Sequence, residues 1–221
     1  MEDRLSKDSL FFFIDLLSNL LYPAPERRVM EKEKIIVLGG GVGPLAGTLL
    51  HRRIIENTLT NGTDQTHLEV HHYSRSPDIP DRTAYLLGEE SVNPAEGMAR
   101  SFKIAYQATL AAGKDAIGGV PCNTFHAPEI FERFLSLLQE EGIQIKILHM
   151  LEETLSFVNS LVPQGKRLGL LATTGTRKTG VYNRLFLSRG REIVDIPWEA
   201  QEKIHEAIYN RTWGIKAKTP V

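Results

Sequence analysis

Residues 34–41, Lys-Ile-Ile-Val-Leu-Gly-Gly-Gly, decide the fold class of this chain. An unbroken apolar run, mostly β-branched, is typical of a strand that is buried on both faces in a parallel sheet. Glycines end the run, and the segment from Pro44 to about Asn57 is predicted to be a helix, because proline favours the first helical turn. A buried strand followed by a helix indicates the start of a βαβ unit.

The same alternation continues along the chain. Further strands are predicted at residues 68–73, 116–120, 143–148, 167–172 and 192–195, and further helices at 94–112, 128–141, 150–161, 180–188 and 199–210. This order indicates parallel sheets flanked by helices. Because the pattern runs twice, we predict two similar Rossmann-like α/β lobes, at 31–130 and 131–221, with the active site in the cleft between them.

An N-terminal extension, residues 1–30, precedes the first lobe and contains an apolar run at residues 10–17. A signal peptide is not predicted, because acidic residues lie near the start, Asp15 interrupts the run and no small-residue cleavage site follows. Two explanations stay open. The segment is either a short amphipathic helix or translated sequence upstream of a true start at Met30.

The composition restricts the classes of function. With 26 basic and 27 acidic residues, the formal net charge is −1, which does not favour nucleic acid or an acidic membrane surface as a partner. No apolar stretch reaches 18 residues, so no membrane-spanning helix is expected. The single cysteine cannot form an internal disulfide and fits a cytoplasmic location. The histidines lack a metal-ligand spacing, so no metal site is expected.

The glycines after the first strand form the pattern Gly41-x-Gly43-x-x-Ala46, which is similar to a dinucleotide-binding fingerprint. That fingerprint requires an acidic residue at the end of the second strand, where this chain has His-His-Tyr-Ser at residues 71–74. The pattern therefore favours a tight strand-to-helix turn, whose N–H groups can face an anion, over a nucleotide site.

Cys122 follows the third predicted strand and precedes Asn123 and Thr124. A lone cysteine is usually a small core residue, but the carboxyl ends of parallel strands are where ligands bind. Backbone donors and a nearby helix favour the thiolate, so such a side chain can accept a proton as thiolate or donate one as thiol near neutral pH. His126 also allows a hydrolase-like Cys–His pair, although no nucleophile-elbow motif accompanies it.

Two further segments are candidates for the same site. Arg82, in a predicted loop, is either a solvated surface charge or a bidentate clamp for a carboxylate. The segment Thr-Thr-Gly-Thr at residues 173–176, called the TTGT segment below, is either a turn with hydroxyl caps or a set of hydrogen-bond donors for a carboxylate. Because it follows a strand, as Gly41 and Cys122 do, we expect these three strand ends to face one cleft.

Together these motifs resemble the aspartate/glutamate (Asp/Glu/hydantoin) racemase family, and are most like its aspartate racemases. The matching stretches are IIVLGGGVGPLA (35–46), PDIPDRTAYLLG (77–88), VPCNTFH (120–126), LLATTGTRKTGVY (170–182) and, more weakly, IYNRTWGIKA (208–217). The resemblance implies a cofactor-independent enzyme with two α/β lobes that is commonly a homodimer. It also implies an acidic amino acid as the substrate, with two cysteines that exchange the Cα proton from opposite faces.

The resemblance assigns roles to individual residues. Cys122 is implied to be the acid/base of the first lobe. Substrate binding is implied for Asn123, Thr124, Thr174, Gly175 and Thr176 at the α-carboxylate, for Arg82 and Lys216 at the side-chain carboxylate, and for Gly41 and Val42 at the turn beneath the ligand. The family often has methionine where this chain has Val42, which is a mild change.

The second cysteine of the family has no counterpart in this sequence. In the family it follows the position matching Lys216 by about one helix and one strand, roughly 30 residues, whereas this sequence ends five residues after Lys216. We therefore expect a C-terminally truncated member whose second lobe has an unpaired strand edge and exposed apolar surface. Three explanations stay open: a fragment or frameshifted product of a full racemase gene, a naturally truncated and inactive or unstable protein, or a chain with reduced activity, such as one-sided proton exchange at Cα or binding of an acidic amino acid.

Overall fold

Six parallel strands in two sheets form the framework of residues 34–217, the part of the chain that the computed structural model describes. The strands are β1 (Lys34–Gly40), β2 (Val70–Ser74), β3 (Asp115–Gly119), β4 (Ile145–Leu148), β5 (Leu168–Leu170) and β6 (Ile193–Asp195). The helices are α1 (Pro44–Asn57), α2 (Arg82–Leu86), α3 (Pro94–Ala112), α4 (Pro128–Glu140), α5 (Met150–Leu161), α6 (Thr174–Thr179), α7 (Val181–Ser188) and α8 (Trp198–Tyr209). The predicted α/β class is confirmed, and the extension predicted at 1–30 lies outside the described residues.

The first sheet has the strand order β2-β1-β3-β4, and all three pairings are parallel. β1 lies between β2 and β3, with Ile36 opposite both Val70 and Ile117. The four apolar residues from Ile35 to Leu38 are each at most 1% exposed. The strand β1 is therefore buried, as its apolar run predicts.

Side chains of β1 alternate between two apolar cores. Ile35 and Val37 belong to the larger core, which includes Phe102 from α3 and residues of α4. Ile36 and Leu38 belong to a smaller core on the other face, which includes residues of α1. Because each fully buried aliphatic side chain stabilises the fold by roughly 1.5–3 kcal/mol, this strand anchors both layers of helices.

The division between the sheets differs from the predicted lobe boundary. Residues of β4 pair in register with β3, from Ala116 opposite Ile145 to Gly119 opposite Leu148, and α4 packs against α3. The boundary predicted between residues 130 and 131 therefore cuts through α4, and the first sheet continues to Leu148. Strand-helix alternation indicates parallel strands, but it carries no signal for which sheet a strand joins.

The second sheet, β5 with β6, is smaller and less covered. Its parallel register runs from Leu168 opposite Ile193 to Leu170 opposite Asp195. Within the described residues only these two strands pair in this sheet, so each has one edge without a strand partner there. Nearby apolar side chains are exposed, including Leu171 at 65%. An unpaired edge and exposed apolar surface were both expected in this part of the chain.

Two segments predicted to be irregular form short helices. Asp81 caps α2, because its carboxylate accepts the N–H of Ala84 at 2.9 Å. Thr173 caps α6 in the same way, accepting the N–H of Thr176 at 3.3 Å. Aspartate and threonine are favoured N-cap residues, so a signal for both helices is present in the sequence. No helix among residues 34–217 is long and apolar enough to cross a membrane.

Candidate active site

Cys122 lies on the turn where the chain leaves β3. Its N–H donates to the carbonyl oxygen of Val120 at 2.9 Å, and its side chain is partly buried against the larger core. A 3-10 turn, Thr124–His126, follows before α4 begins at Pro128. The thiol is therefore at the carboxyl end of a parallel strand, and a short turn separates it from the next helix.

His126 does not act on the thiol, which contradicts the Cys–His alternative. Its Nε2 accepts the N–H of Met150 at 3.2 Å, so its Nδ1–H donates to the carbonyl oxygen of Cys122 at 2.8 Å. Burial, and then the neighbouring His149, lower the pKa of His126 to about 3. A neutral imidazole with both nitrogens bonded to backbone cannot accept the thiol proton. His126 instead fixes the backbone of the Cys122 turn.

A cluster of three threonine hydroxyls joins the Cys122 turn to the segment after β5. Thr124 Oγ1 lies 2.8 Å from Thr176 Oγ1 and 3.4 Å from Thr173 Oγ1, and the last two oxygens are 3.1 Å apart. Thr124 and Thr176 are buried, and buried hydroxyls require hydrogen-bond partners. The hydroxyl cluster therefore holds together two of the three segments that were expected to face one cleft.

A second bridge between the same segments comes from Tyr182, near the start of α7. Its phenol donates to Oδ1 of Asn123 at 2.5 Å. Burial raises the pKa of Tyr182, and the charge of Cys122 raises it further. The phenol is therefore a neutral donor close to the thiol.

Arg82 is buried at 8% exposure, which contradicts the interpretation as a solvated surface charge. Its Nη1 donates to the carbonyl oxygen of Pro80 at 3.1 Å, whereas its buried Nε has no hydrogen-bond partner among the described residues. The next residue, Thr83, touches the TTGT segment. A β-carbon on Gly175 would lie 2.7 Å from Thr83 Oγ1. The segment that contains Arg82 and Thr83, called the Arg82 segment below, thus contacts the TTGT segment. The TTGT segment in turn is hydrogen-bonded to the Cys122 turn.

Gly41 and Val42 are both buried. Gly41 has φ +85°, and a β-carbon there would lie 2.8 Å from the backbone nitrogen of Arg75 and 2.7 Å from that of Ser76. Both the conformation and the close approach require glycine. Val42 is buried in the core against which Cys122 also packs. Val42 and Cys122 therefore share the larger core, whereas Gly41 approaches the backbone of Arg75 and Ser76.

Lys216 reaches the TTGT segment through other side chains. Its ammonium lies 3.9 Å from the ring centroid of Tyr209, and Tyr209 stacks on His205 with centroids 4.8 Å apart. His205 Nδ1 in turn accepts the N–H of Thr174 at 3.2 Å. This N–H, one of the donors expected for a carboxylate, is therefore engaged within the protein.

Tyr182 and His205 were not among the predicted site residues. Tyr182 ends the matching stretch at 170–182, so a signal was present. His205 lies within an ordinary amphipathic helix and offers none. Within residues 34–217, no three His, Cys, Asp or Glu side chains are grouped closely enough to hold a metal ion.

The fold and the site together define the class of this protein. It is a parallel α/β protein with a thiol at the carboxyl end of a strand, and with hydroxyl, amide and guanidinium groups in the segments that meet there. The Asp/Glu/Hydantoin racemase family matches residues 40–218, most of the chain. The chain therefore belongs to the Asp/Glu/hydantoin racemase family and to the isomerases, as its motifs predict.

Solved structures with a similar fold include an aspartate racemase and an aspartate racemase homologue. Picrophilus torridus aspartate racemase is 24% identical, with a TM-score of 0.63 over 80% of this chain and 67% of that one. An aspartate racemase homologue from Pyrococcus horikoshii OT3 is 18% identical, with a TM-score of 0.56 over 81% of this chain and 71% of that one. At these identities the likeness concerns the fold, and it agrees with the α/β class.

Proposed function

We propose that this chain is a cofactor-independent amino-acid racemase, with aspartate or glutamate as its substrate and Cys122 as its proton-transfer residue. One observation carries the proposal. The Cys122 turn and the Arg82 segment both contact the TTGT segment, through the Thr124 and Thr83 side chains respectively. Family membership supports the reaction class.

The chemistry explains why a thiol belongs in such a site. A Cys122 thiolate takes the Cα proton, which forms an S–H bond, and the electron pair of the broken C–H bond stays on the substrate. For racemisation that electron pair must then take a proton on the opposite face of Cα, and solvent water is the proposed source because the 221 residues contain one cysteine. The α-carboxylate then carries much of the developing charge, and fixed donors around it stabilise that state. The amide of Asn123 and the hydroxyl of Thr124 follow the thiol directly in the chain and are the proposed donors, together with the TTGT segment.

Arg82 supports an acidic substrate. A buried guanidinium is costly to maintain without an opposite charge, and no carboxylate pairs with Arg82 within the described residues. Its planar fork matches a carboxylate, so the side-chain carboxylate of an acidic amino acid would supply the missing charge. The exposed Lys216, held over Tyr209, is proposed as a second cation for that group.

A second candidate function is the binding of an acidic amino acid without racemisation. The 221 residues contain one cysteine, so no second thiol of this chain can return a proton to the other face of Cα. The alternative shares the binding residues of the first proposal and differs only in whether the proton is transferred.

The test is to incubate each enantiomer of aspartate and glutamate with the purified protein, without added cofactor, and to follow optical purity by chiral chromatography. Asparagine and glutamine are matched controls, since each replaces only the second carboxylate. We expect at least one acid to lose optical purity, at least about tenfold faster than its amide, and Arg82→Gln to remove that preference. Calorimetric binding without loss of optical purity would favour the second candidate, and neither binding nor turnover would contradict both.

A further inference from the structure

We propose that Tyr182 is a positioning residue of the ligand site, which turns the side-chain amide of Asn123 so that its Nδ2 group faces the carboxylate of the ligand. The inference rests on the proposed function, because it assumes an acidic ligand beside Cys122. It adds a role for a residue of α7, in the smaller part of the protein, that the family motifs alone do not assign.

The orientation follows from the chemistry of the two groups. A phenol has one proton, and Tyr182 gives it to Oδ1 of Asn123 at 2.5 Å. The carbonyl end of the amide is therefore held at the phenol, and the two Nδ2 protons point away from it. No described residue accepts from Nδ2, and Asn123 is exposed. The amide consequently presents two free donors next to Cys122 in the chain.

The ring that carries this hydroxyl is itself fixed. Tyr182 lies against Phe186, one helical turn later, with ring centroids 5.6 Å apart, and Phe186 is buried. The next residue along the chain, Thr124, is also held, because its hydroxyl lies 2.8 Å from that of Thr176. The phenol that holds the amide and the backbone that follows Asn123 are both fixed, so the direction of the amide is set before a ligand arrives, which lowers the entropy cost of binding.

The phenol of Tyr182 holds its proton firmly. Burial raises the pKa of Tyr182, and the charge of Cys122 adds to the shift. Tyr182 is therefore a neutral donor to Asn123.

The experiment measures protection of Cys122 from alkylation by iodoacetamide, with aspartate or glutamate titrated into the 221-residue protein. A ligand beside the thiol slows alkylation and yields an apparent Kd without any need for turnover. We expect Tyr182→Phe, which removes only the hydroxyl, to raise the apparent Kd about tenfold. The alkylation rate without ligand should stay close to the wild type, and the urea unfolding midpoint should fall only slightly, as expected for the loss of one hydrogen bond.

A matched control is available in Tyr85, whose phenol oxygen accepts from Nδ2 of Asn93 at 3.0 Å. Asn93 caps α3 rather than facing the thiol, so Tyr85→Phe should leave the apparent Kd unchanged. A tenfold rise in this variant too would overturn the proposal, because it would trace the effect to general loosening.

A double-mutant cycle separates positioning from mere packing. In an Asn123→Ala background, Tyr182→Phe should have no further effect on the apparent Kd, whereas additive effects would overturn the proposal. Asn123→Asp keeps the acceptor for the phenol but replaces the donors with a negative charge, so it should weaken protection more than Asn123→Ala. An unchanged apparent Kd in Tyr182→Phe would also overturn it. Failure of both acids to protect the wild type would instead refute the proposed function, and this inference with it.

Discussion

The four-stranded region, residues 34–148, and the two-stranded region, residues 168–217, are held by different forces. In the first, β1 is closed on both faces and its apolar residues from Ile35 to Leu38 are at most 1% exposed. In the second, β5 is only partly buried, and Leu171 beside it is 65% exposed. Hydroxyl and amide groups near Cys122 link the two regions. Apolar packing therefore stabilises the larger region, and polar contacts position the smaller one at the thiol.

The largest expected effect comes from deleting an aromatic side chain in the four-stranded region. Phe102 is fully buried and packs edge to face on Phe134 with centroids 5.1 Å apart. Phe102→Ala should lower the free energy of unfolding by about 3–5 kcal/mol. Leu171→Ala, in the two-stranded region, should change it by less than about 0.5 kcal/mol. Urea unfolding measures both, and equal losses would remove the contrast between the regions.

Substituting one strand glycine in each sheet compares the packing of the two regions more sharply. A β-carbon on Gly118 in β3 would lie 2.8 Å from the Phe102 ring and 2.9 Å from the carbonyl oxygen of Val37, whereas one on Gly169 in β5 would meet nothing within 4 Å. Gly118→Ala should therefore destabilise the protein by about 1–3 kcal/mol. Gly169→Ala should be neutral or stabilise by up to about 1 kcal/mol, since alanine restricts the unfolded chain. Thermal unfolding that ranks the two variants in the opposite order would contradict the description of both sheets.

Acid should weaken the four-stranded region through His126. Its pKa is about 3 in the folded protein and about 6.5 in an unfolded chain. Between these values the unfolded state binds a proton that the folded state does not. The free energy of unfolding is therefore highest above about pH 6.5 and falls by up to about 1.4 kcal/mol per pH unit on acidification toward pH 3.

This pH dependence can be assigned by substitution. His126→Asn removes the titrating group and keeps a donor where Nδ1 bonds to the carbonyl oxygen of Cys122. Urea unfolding at pH 7, 6 and 5 should show a flatter slope in His126→Asn than in the wild type. Parallel slopes would mean that another group controls the acid response, such as His72, whose pKa burial also lowers.

The smallest expected effect lies at the junction of the regions. Thr176→Val removes a hydroxyl that bonds Thr124 at 2.8 Å, which leaves the Thr124 hydroxyl with a weaker partner. We expect a loss of about 1 kcal/mol, and hydrogen exchange that becomes faster in α6 but not in β1. Thr48→Val, at an exposed hydroxyl on α1 that bonds Pro44 within its own helix, should leave both measurements near the wild type.

Much of the fold was predictable because strands and helices impose different spacings on apolar residues. All six described strands, and every described helix of eight or more residues, overlap a predicted element. The short helices α2 and α6 escaped because five or six residues are too few to display a helical period. The sequence did not predict that β4 joins the first sheet, because strand pairing depends on how segments that are distant in the chain pack together.

The candidate site, like the fold, was predictable only in part. Contact between the Cys122 turn and the TTGT segment follows from strand ends that bear polar residues. Tyr182 and His205 meet that site because of where α7 and α8 lie, and spacing along the chain does not encode helix placement. His126 was visible in the sequence, but its bonds to the Cys122 carbonyl and to Met150 depend on the direction of its ring.

The most direct test of the account is Cα exchange in heavy water, followed by NMR on L- and D-aspartate and on L- and D-glutamate. It detects removal of the proton by Cys122 whether or not a second group completes racemisation. We predict deuterium at Cα of at least one enantiomer with the wild type, and none above background with a folded Cys122→Ala variant. Exchange that persists without the thiol, or no exchange by folded wild-type protein that binds the acid, would contradict Cys122 as the proton-transfer residue.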